Sequence, residues 1–300
     1  LESIFKVWCL IFLIVIFDLA IEFSFGKNLL GQNAIMPGRL GSFTGKESVI
    51  GGFFLGFCLI FLSYIYRINN NILLNLFLAI SLIIISFLIG ERANFVKTFI
   101  AITFYIFLIY KIDLKTKLFS FVLILCLIYS IFLTINDIYK ERYFNQIISI
   151  FNQKSLTKYL ENSKYGSHRN VAKEIFLDNP VFGIGIKNFR IESYKKKYED
   201  LDHKFNHLRG ATHPHQIHYE LLAETGLLGY LSFILFMIMS LVFFLKNFKN
   251  NKNIYEFSGM LFVIISLLPL VPSGSFFSTY AAGLFWFNYS IMMGNKKIEN

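Results

Sequence analysis

The apolar positions of the chain fall into long runs that short polar segments separate. A helix needs about 20 mainly apolar residues to cross the hydrocarbon core of a bilayer. We expect the first run to stop early at Asp18 and Glu22, and Pro269, Pro272 and Gly274 to form a break or hairpin between the last two runs. Eight runs predict an all-α integral membrane protein with about eight transmembrane helices, at Ile4–Phe25, Ser48–Tyr66, Ile72–Gly90, Phe95–Tyr110, Leu118–Ile135, Leu227–Leu245, Phe257–Val271 and Phe276–Met293.

The polar segment 136–220 interrupts this series. It divides the chain into residues 1–135 with five transmembrane helices, a long loop at 136–220, and residues 221–300 with three more. Loops of this length are usually functional or disordered, and we expect this one to be partly helical and to bear the active site. Ser167 is expected to cap a helix that runs to Leu177 and ends at Asp178. Because the first residue is Leu1 and no signal peptide precedes the first run, we also expect an N-terminally truncated fragment.

The Lys and Arg residues of the short loops predict the orientation in the membrane, because cytoplasmic loops carry the excess of them. The richer set of loops has nine such residues and the opposite set has five. Long loops are exempt from this count, and the alternation puts segment 136–220 on the face away from the cytoplasm. The first set is Arg67, Lys111, Lys115, Lys117, Lys246, Lys249, Lys252, Lys296 and Lys297, and the second is Lys27, Arg39, Lys46, Arg92 and Lys97.

The composition agrees with a lipid environment and argues against one class of function. Hydrophobic residues make up 55% of the chain and charged residues only 16%, whereas about a quarter of the residues of a soluble domain are charged. The net charge of +10 includes no Lys/Arg block within a soluble region large enough to bind nucleic acid. The basic residues therefore indicate membrane topology and anionic ligands.

All six histidines lie in the long loop, and the sequence His213-Pro-His-Gln216 is the most informative. Pro214 suits the first position of a helix, so His215 is expected in the first turn, where the helix dipole disfavours a positive imidazole. A neutral imidazole at a membrane surface suits a general base. Two alternatives remain: histidines that only anchor the loop, and a metal site in which His215 and His218 share a helix face. No carboxylate has ligand-like spacing there, so we expect no metal.

Three arginines are candidates for phosphate binding. Arg92 is bordered by apolar runs on both sides, and such an arginine usually marks a site or a pairing partner. The alternative is a salt bridge with Glu91 or Asp18, or extension of the side chain to the interface. Arg39 and Arg169 are expected on the same side of the membrane. Because guanidinium binds phosphate through paired hydrogen bonds, two or three of these residues in one pocket would suit a diphosphate.

Gly183 and Gly185 stand in the segment Val-Phe-Gly-Ile-Gly-Ile at 181–186. A Gly-x-Gly sequence can bind phosphate, but no strand precedes this one as a dinucleotide fold would require. The sequence therefore favours a simple turn, and a phosphate loop stays the alternative.

In this order, these segments resemble the O-antigen ligase and polymerase superfamily of membrane glycosyltransferases, over most of the chain. The resemblance rests on Arg-Leu-Gly-Ser-Phe-Thr-Gly at 39–45, on Arg92 at the end of a run, and on Arg169 followed by Asn-Pro-Val-Phe-Gly-Ile-Gly at 179–185. It ends with His-Pro-His-Gln at 213–216 and Glu-Thr-Gly-Leu-Leu-Gly at 224–229. Gln216 stands where asparagine is commoner in the family, and both side chains are amides.

The resemblance implies transfer of a glycan from undecaprenyl diphosphate to an acceptor at the periplasmic face of the bacterial inner membrane. The implied partners are the lipid-linked donor, an acceptor (lipid A core or another glycan) and membrane lipids, with no cofactor, metal or nucleic acid. By position, His215 would be the catalytic residue, and Arg92 and Arg169, together with Arg39, would bind the diphosphate. The expected supporting residues are His213, Gln216, Glu224, Gly183 and Gly185.

The acceptor stays open at this point. The long loop and the His-Pro-His sequence favour a ligase that acts in lipopolysaccharide biosynthesis, and a polymerase of O-antigen or exopolysaccharide is the alternative. A transporter is an alternative from another class, since Asp18, Arg92 and the proline-rich break near residue 272 would fit a substrate path. A glycan-binding scaffold would keep the arginines without requiring His215.

Overall fold

The computed structural model describes residues 2–33, 36–47, 49–135, 137–152, 161–251 and 253–294. Every regular element in these ranges is a helix, which confirms the all-α prediction. Ser48, Lys252, Lys296, Lys297 and part of the predicted long loop (136 and 153–160) lie outside the described residues. The α-helices are α1 Glu2–Phe25, α2 Ile50–Ile68, α3 Ile72–Leu88, α4 Arg92–Ile109, α5 Leu114–Thr134, α6 Asp137–Asn152, α7 Lys164–Asp178, α8 Phe189–Glu192, α9 Ile217–Asn251, α10 Ile254–Ser266 and α11 Thr279–Met292.

Five of these helices are long and apolar enough to cross a membrane: α1, α2, α4, α5 and residues 217–248 of α9. Helices α3 and α10 are shorter apolar helices, and α11 has 14 residues. The chain is therefore a multi-pass membrane protein by length and composition, while the count of eight spans and the orientation stay predictions. Helix α10 ends at Ser266 rather than at the expected Val271, and a non-helical segment 267–278 follows it.

The described helices belong to two compact units. Unit 1 contains residues 1–145, 252–265 and 287–300, and unit 2 contains residues 146–251 and 266–286. In unit 1, α2 is the central helix, and Phe12 of α1 packs against Phe54 and Phe61 of α2. Ser63 of α2 hydrogen-bonds Tyr105 of α4 at 2.9 Å. Such polar contacts between helices supply attraction in a membrane, where burial of apolar surface against lipid-like surface supplies little.

The acids of α1 do not end the helix, which corrects the sequence prediction. Helix α1 continues to Phe25, and the carboxylates of Asp18 and Glu22 are buried. Glu22 accepts hydrogen bonds from the backbone N–H groups of Gly41 and Ser42, at 3.0 and 2.6 Å. Asp18 accepts from the N–H of Leu29 and from the Ser42 hydroxyl. Buried carboxylates are stable here because the following loop supplies their donors.

Unit 2 is built around α7, α8 and the start of α9. Val171, Ala172 and Ile175 of α7 pack with Phe189 and Ala223 in one apolar cluster. The N-cap of α7 is Ser163, which accepts a hydrogen bond from the Gly166 N–H at 3.0 Å, so the expected cap at Ser167 is wrong. Ser167 is instead buried inside the helix. The expected end of the helix at Asp178 is confirmed.

Candidate active site

The segment that carries His215 precedes the helix instead of forming its first turn. Helix α9 begins at Ile217, and His215 has φ 54°, a left-handed conformation that is uncommon for a non-glycine residue. The buried Gln216 side chain accepts hydrogen bonds from the N–H groups of His218 and Tyr219, at 2.7 and 3.1 Å. These are among the N–H groups that a helix start leaves without partners, so Gln216 takes the place of a cap.

The non-helical segment 267–278 forms hydrogen bonds with the residues at the start of α9. Gln216 Nε2 donates to the Pro269 carbonyl at 2.7 Å, and the Ser273 N–H donates to the His215 carbonyl at 3.0 Å. The buried carboxylate of Glu220 accepts from the Phe276 N–H at 2.7 Å and from the Ser275 hydroxyl. Sequence reasoning did not give Glu220 a role, and only a pairing over more than 50 residues reveals it.

His218 is part of this anchorage. Because His215 precedes α9, the two histidines do not share a face of that helix, as the alternative metal site would have required. Its Nε2 lies 2.8 Å from the Leu267 carbonyl and its Nδ1 lies 3.1 Å from the Tyr230 hydroxyl. A carbonyl only accepts, so Nε2 carries the proton and Nδ1 accepts from the tyrosine. His218 therefore has a structural role, which is to join α9 to residue 267.

His215 lies in a cluster of aromatic rings that α7 completes. The ring centroids of His213 and His215 are 4.1 Å apart, and those of His168 and Tyr165 each lie 5.2 Å from His215. His168 Nδ1 lies 3.2 Å from the Arg209 carbonyl and therefore donates to it, which leaves Nε2 as an acceptor. No local sequence pattern associates His168 with His215, because α7 brings it from 47 residues away.

Burial keeps these imidazoles neutral. It lowers the pKa of His215 from 6.5 to about 3, and the neighbouring His213, His168 and Lys164 lower it further. The pKa of His213 falls to about 4 for the same main reason. Burial also lowers the pKa of His168, against the opposing effect of its hydrogen bond to the Arg209 carbonyl. Desolvation is therefore the main cause of the expected neutral state of His215.

Arg169 follows His168 on α7 and is a buried cation that has no carboxylate partner among the described residues. It is 8% exposed, and within the described chain its Nε and Nη2 atoms have no hydrogen-bond partner. Tyr219, in the first turn of α9, is the neighbour that opposes the lowering of its pKa by burial. A buried, unpaired guanidinium costs free energy, so this residue has unused capacity for an anion.

Gly183 and Gly185 lie in a turn, as the simple-turn interpretation expected, and backbone hydrogen bonds attach this turn to α9. The N–H groups of Ile184 and Gly185 donate to the carbonyls of Ala223 and Glu224, at 3.0 and 2.9 Å. Gly183 has φ 66°, and a Cβ there would lie 2.5 Å from the Glu224 carbonyl carbon. The turn runs beside the kink of α9 at Gly226 (φ 65°).

The Glu224 side chain completes this attachment. It accepts hydrogen bonds from the N–H groups of Lys187 and Phe189, at 2.7 and 3.1 Å. The carboxylate is almost fully buried, so these donors take the place of water. Its role is to hold the 181–189 segment against α9.

The other two candidate arginines lie in unit 1, in a group with Arg142. Arg39 pairs with Glu91 at 3.3 Å, and Arg92 Nη1 donates to the Arg142 carbonyl at 2.8 Å. Among the described residues, Arg92 forms no ion pair with Glu91 or Asp18, which was one of the alternatives. Burial and the nearby Arg92 and Arg39 lower the pKa of Arg142. Of these three guanidiniums, only Arg39 is paired with a carboxylate among the described residues, and sequence reasoning missed Arg142.

The structure thus brings the predicted site residues together in two sets. His213, His215, Gln216 and Arg169 lie in unit 2 with the turn of Gly183 and Gly185 and with Glu224, whereas Arg39 and Arg92 lie in unit 1. Among the residues that the structure describes, no group of three or more His, Cys, Asp or Glu side chains is arranged to hold a metal ion.

These features define a multi-pass helical membrane protein with a buried, neutral histidine cluster and a buried arginine outside its long apolar stretches. A family model described as O-antigen ligase matches residues 77–234, more than half of the chain. The chain belongs to this family of glycosyltransferase-like membrane enzymes, which act on lipid-linked glycans and their acceptors. A search of curated proteins found no match.

Proposed function

We propose that the protein transfers a glycan from undecaprenyl diphosphate to an acceptor hydroxyl at the periplasmic face of the inner membrane, and that it acts as a ligase to lipid A core. The observation that carries the proposal is the neutral imidazole of His215 in a buried cluster, in the same unit as the unpaired guanidinium of Arg169. The proposed membrane arrangement is eight spans with segment 136–220 in the periplasm.

In the proposed reaction, the acceptor oxygen attacks the anomeric carbon as the bond from that carbon to the diphosphate oxygen breaks. The acceptor proton passes to His215, and undecaprenyl diphosphate leaves as an anion. A pKa of about 3 makes His215 a weak base in the empty site. A bound diphosphate would raise this pKa, because a nearby negative charge favours the imidazolium. His215 would thus be a good hydrogen-bond acceptor before the donor binds and a stronger base afterwards.

Arg169 is proposed to stabilise the charge that develops on the departing diphosphate. Its unpaired Nε and Nη2 atoms can give charge-assisted hydrogen bonds without first breaking a salt bridge. Arg39 and Arg92 are also proposed to bind phosphate, because the family resemblance includes both positions. They also lie with Arg142 in a basic group of unit 1 in which only Arg39 is paired with a carboxylate among the described residues. The leaving group requires neither a metal nor a covalent intermediate once its charge is matched.

The test is made in the native bacterium with the full-length gene carrying His215→Ala or Arg169→Ala. We expect transfer to fall at least about 100-fold in each variant, the usual cost of removing one acid–base or charge-stabilising group. His207→Ala and Lys196→Ala are the matched controls, because both residues are exposed in segment 136–220. Membrane abundance of each variant is measured by immunoblotting.

The lipid-linked pool identifies the acceptor. Long glycans that accumulate on undecaprenyl diphosphate in His215→Ala cells would support the ligase, and single repeat units would instead indicate the polymerase. Normal transfer by a stably inserted His215→Ala variant would contradict the proposed role of His215 and favour a transporter or a glycan-binding scaffold.

A further inference from the structure

A polar cavity in unit 2 lies on a different face of α7 from Arg169. Its volume is about 410 Å³, within the ~300–1,000 Å³ range of small-molecule sites. One wall is the α7 face that carries Ser167, Asn170, Val171 and Glu174, at the i, i+3, i+4 and i+7 spacing of one helix face. The opposite wall comes from residues 197–200 and from His203, Asn206 and Arg209. The mechanism above uses none of these side chains.

The charges that line the cavity are balanced. The lining contains three cations and three carboxylates together with His203. The cations are Lys173, Lys197 and Arg209, and the carboxylates are Glu174, Glu199 and Asp200. Arg209 pairs with Glu199 at 2.9 Å, and Lys197 pairs with Asp178 at 3.0 Å. A site for a phosphate would need an excess of cations, as the arginine group of unit 1 has. The lining therefore indicates a ligand without net charge.

Several polar groups of the lining are unused. The side chains of Asn170, Lys173 and Glu174 make no hydrogen bond or ion pair with the described residues, and the buried Arg209 Nε has no acceptor there. Amide, ammonium and carboxylate groups side by side alternate donors with acceptors. A hydroxyl both donates and accepts, so a ligand with many hydroxyls matches this lining. Val171 gives the lining an apolar position, against which the C–H groups of a sugar ring can pack.

Arg209 joins this cavity to the histidine cluster. Its side chain lines the cavity, and its carbonyl accepts the hydrogen bond of His168, whose ring lies 5.2 Å from that of His215. We propose that the cavity is a saccharide-binding subsite that holds sugar residues of the glycan substrate beyond the reacting one. The choice of ligand rests on the proposed function, whereas the binding site itself does not require His215.

The experiment measures binding of a labelled oligosaccharide to the full chain in lipid nanodiscs. The probe is the glycan that mild acid releases from the host's own undecaprenyl-diphosphate pool. Asn170→Ala together with Glu174→Ala should weaken binding at least about fivefold, since each removes a hydrogen bond of ordinary strength. Glu141→Ala, an exposed change outside the cavity, should bind as the native chain does. Both cavity residues lie at least partly at the surface, and thermal melting checks that each variant is folded.

Two further measurements separate this proposal from the proposed function. His215→Ala should bind the probe normally while it loses transfer, and inorganic pyrophosphate should not displace the probe. Native affinity in the double variant, or displacement by pyrophosphate, would overturn the saccharide subsite. Normal transfer by His215→Ala would instead overturn the proposed catalytic role and leave the binding result to be judged by itself.

Discussion

Acidification tests the electrostatics of the histidine cluster directly. A histidine with the ordinary pKa of 6.5 would lose about 90% of its neutral form at pH 5.5, so a reaction that needs it would slow about tenfold between pH 7.5 and 5.5. With a pKa of about 3, His215 stays almost fully neutral over this range. We therefore expect kcat/KM, which reports the free enzyme, to stay constant between these two values.

The assay is the initial rate of glycan transfer in proteoliposomes at limiting lipid-linked donor. His168→Ala is the informative variant, because it removes a ring that covers His215 and admits water. Desolvation is the largest cause of the lowered pKa of His215. In this variant, the pH at which kcat/KM begins to fall on acidification should therefore rise toward 6.5. The other groups around His215, namely His213, Tyr165 and Lys164, are unchanged in it. The reasoning would be refuted if kcat/KM of the native protein fell tenfold between pH 7.5 and 5.5 and the His168→Ala variant showed no larger fall.

Three further predictions concern the attachments around the site. Gly183→Ala should destabilise the protein more than Gly31→Ala, since both glycines have positive φ but only the Cβ at 183 meets backbone; the comparison is made by thermal melting. Glu224→Gln should remove a hydrogen-bond acceptor for the N–H groups of residues 187 and 189, and so lower the free energy of opening this segment by about 1–3 kcal/mol. Amide hydrogen exchange at these two residues should then be faster, whereas the exposed Glu141→Gln should leave it unchanged. Glu22→Ala should likewise increase exchange at residues 41 and 42, and unchanged exchange would show that the carboxylate does not hold this loop.

Hydropathy predicted the helices of the membrane region because a spanning helix is a long local signal. The expected bounds of the second to fifth helices lie within a few residues of those of α2 to α5. Leu227, the expected start of the sixth span, follows the kink at Gly226 within α9. The family was also predictable, because its characteristic segments are contiguous in the sequence.

The geometry of the site was not predictable in the same way, because its contacts join distant segments. Pro214 indicated a helix start, yet the backbone at His215 is set by Gln216 and by residues more than 50 positions later. Arg92 has Glu91 beside it in the sequence, but that carboxylate pairs with Arg39. His168 joins the cluster only because α7 packs against α9. Local patterns identify helices and motifs, whereas pairing between buried polar groups depends on the tertiary fold.

The hydrogen bonds between the start of α9 and residues 267–276 also impose an order on biosynthesis. The ribosome makes the His-Pro-His-Gln sequence about 50 residues before the segment whose backbone groups hold Gln216, His218 and Glu220 in place. Until that segment follows, the Glu220 carboxylate lacks the donors that satisfy it when buried. We therefore expect the start of α9 to reach its final arrangement only after residues 267–276 have been synthesised. A fragment limited to residues 77–234 would contain the proposed catalytic histidine without the part of the chain that shapes it.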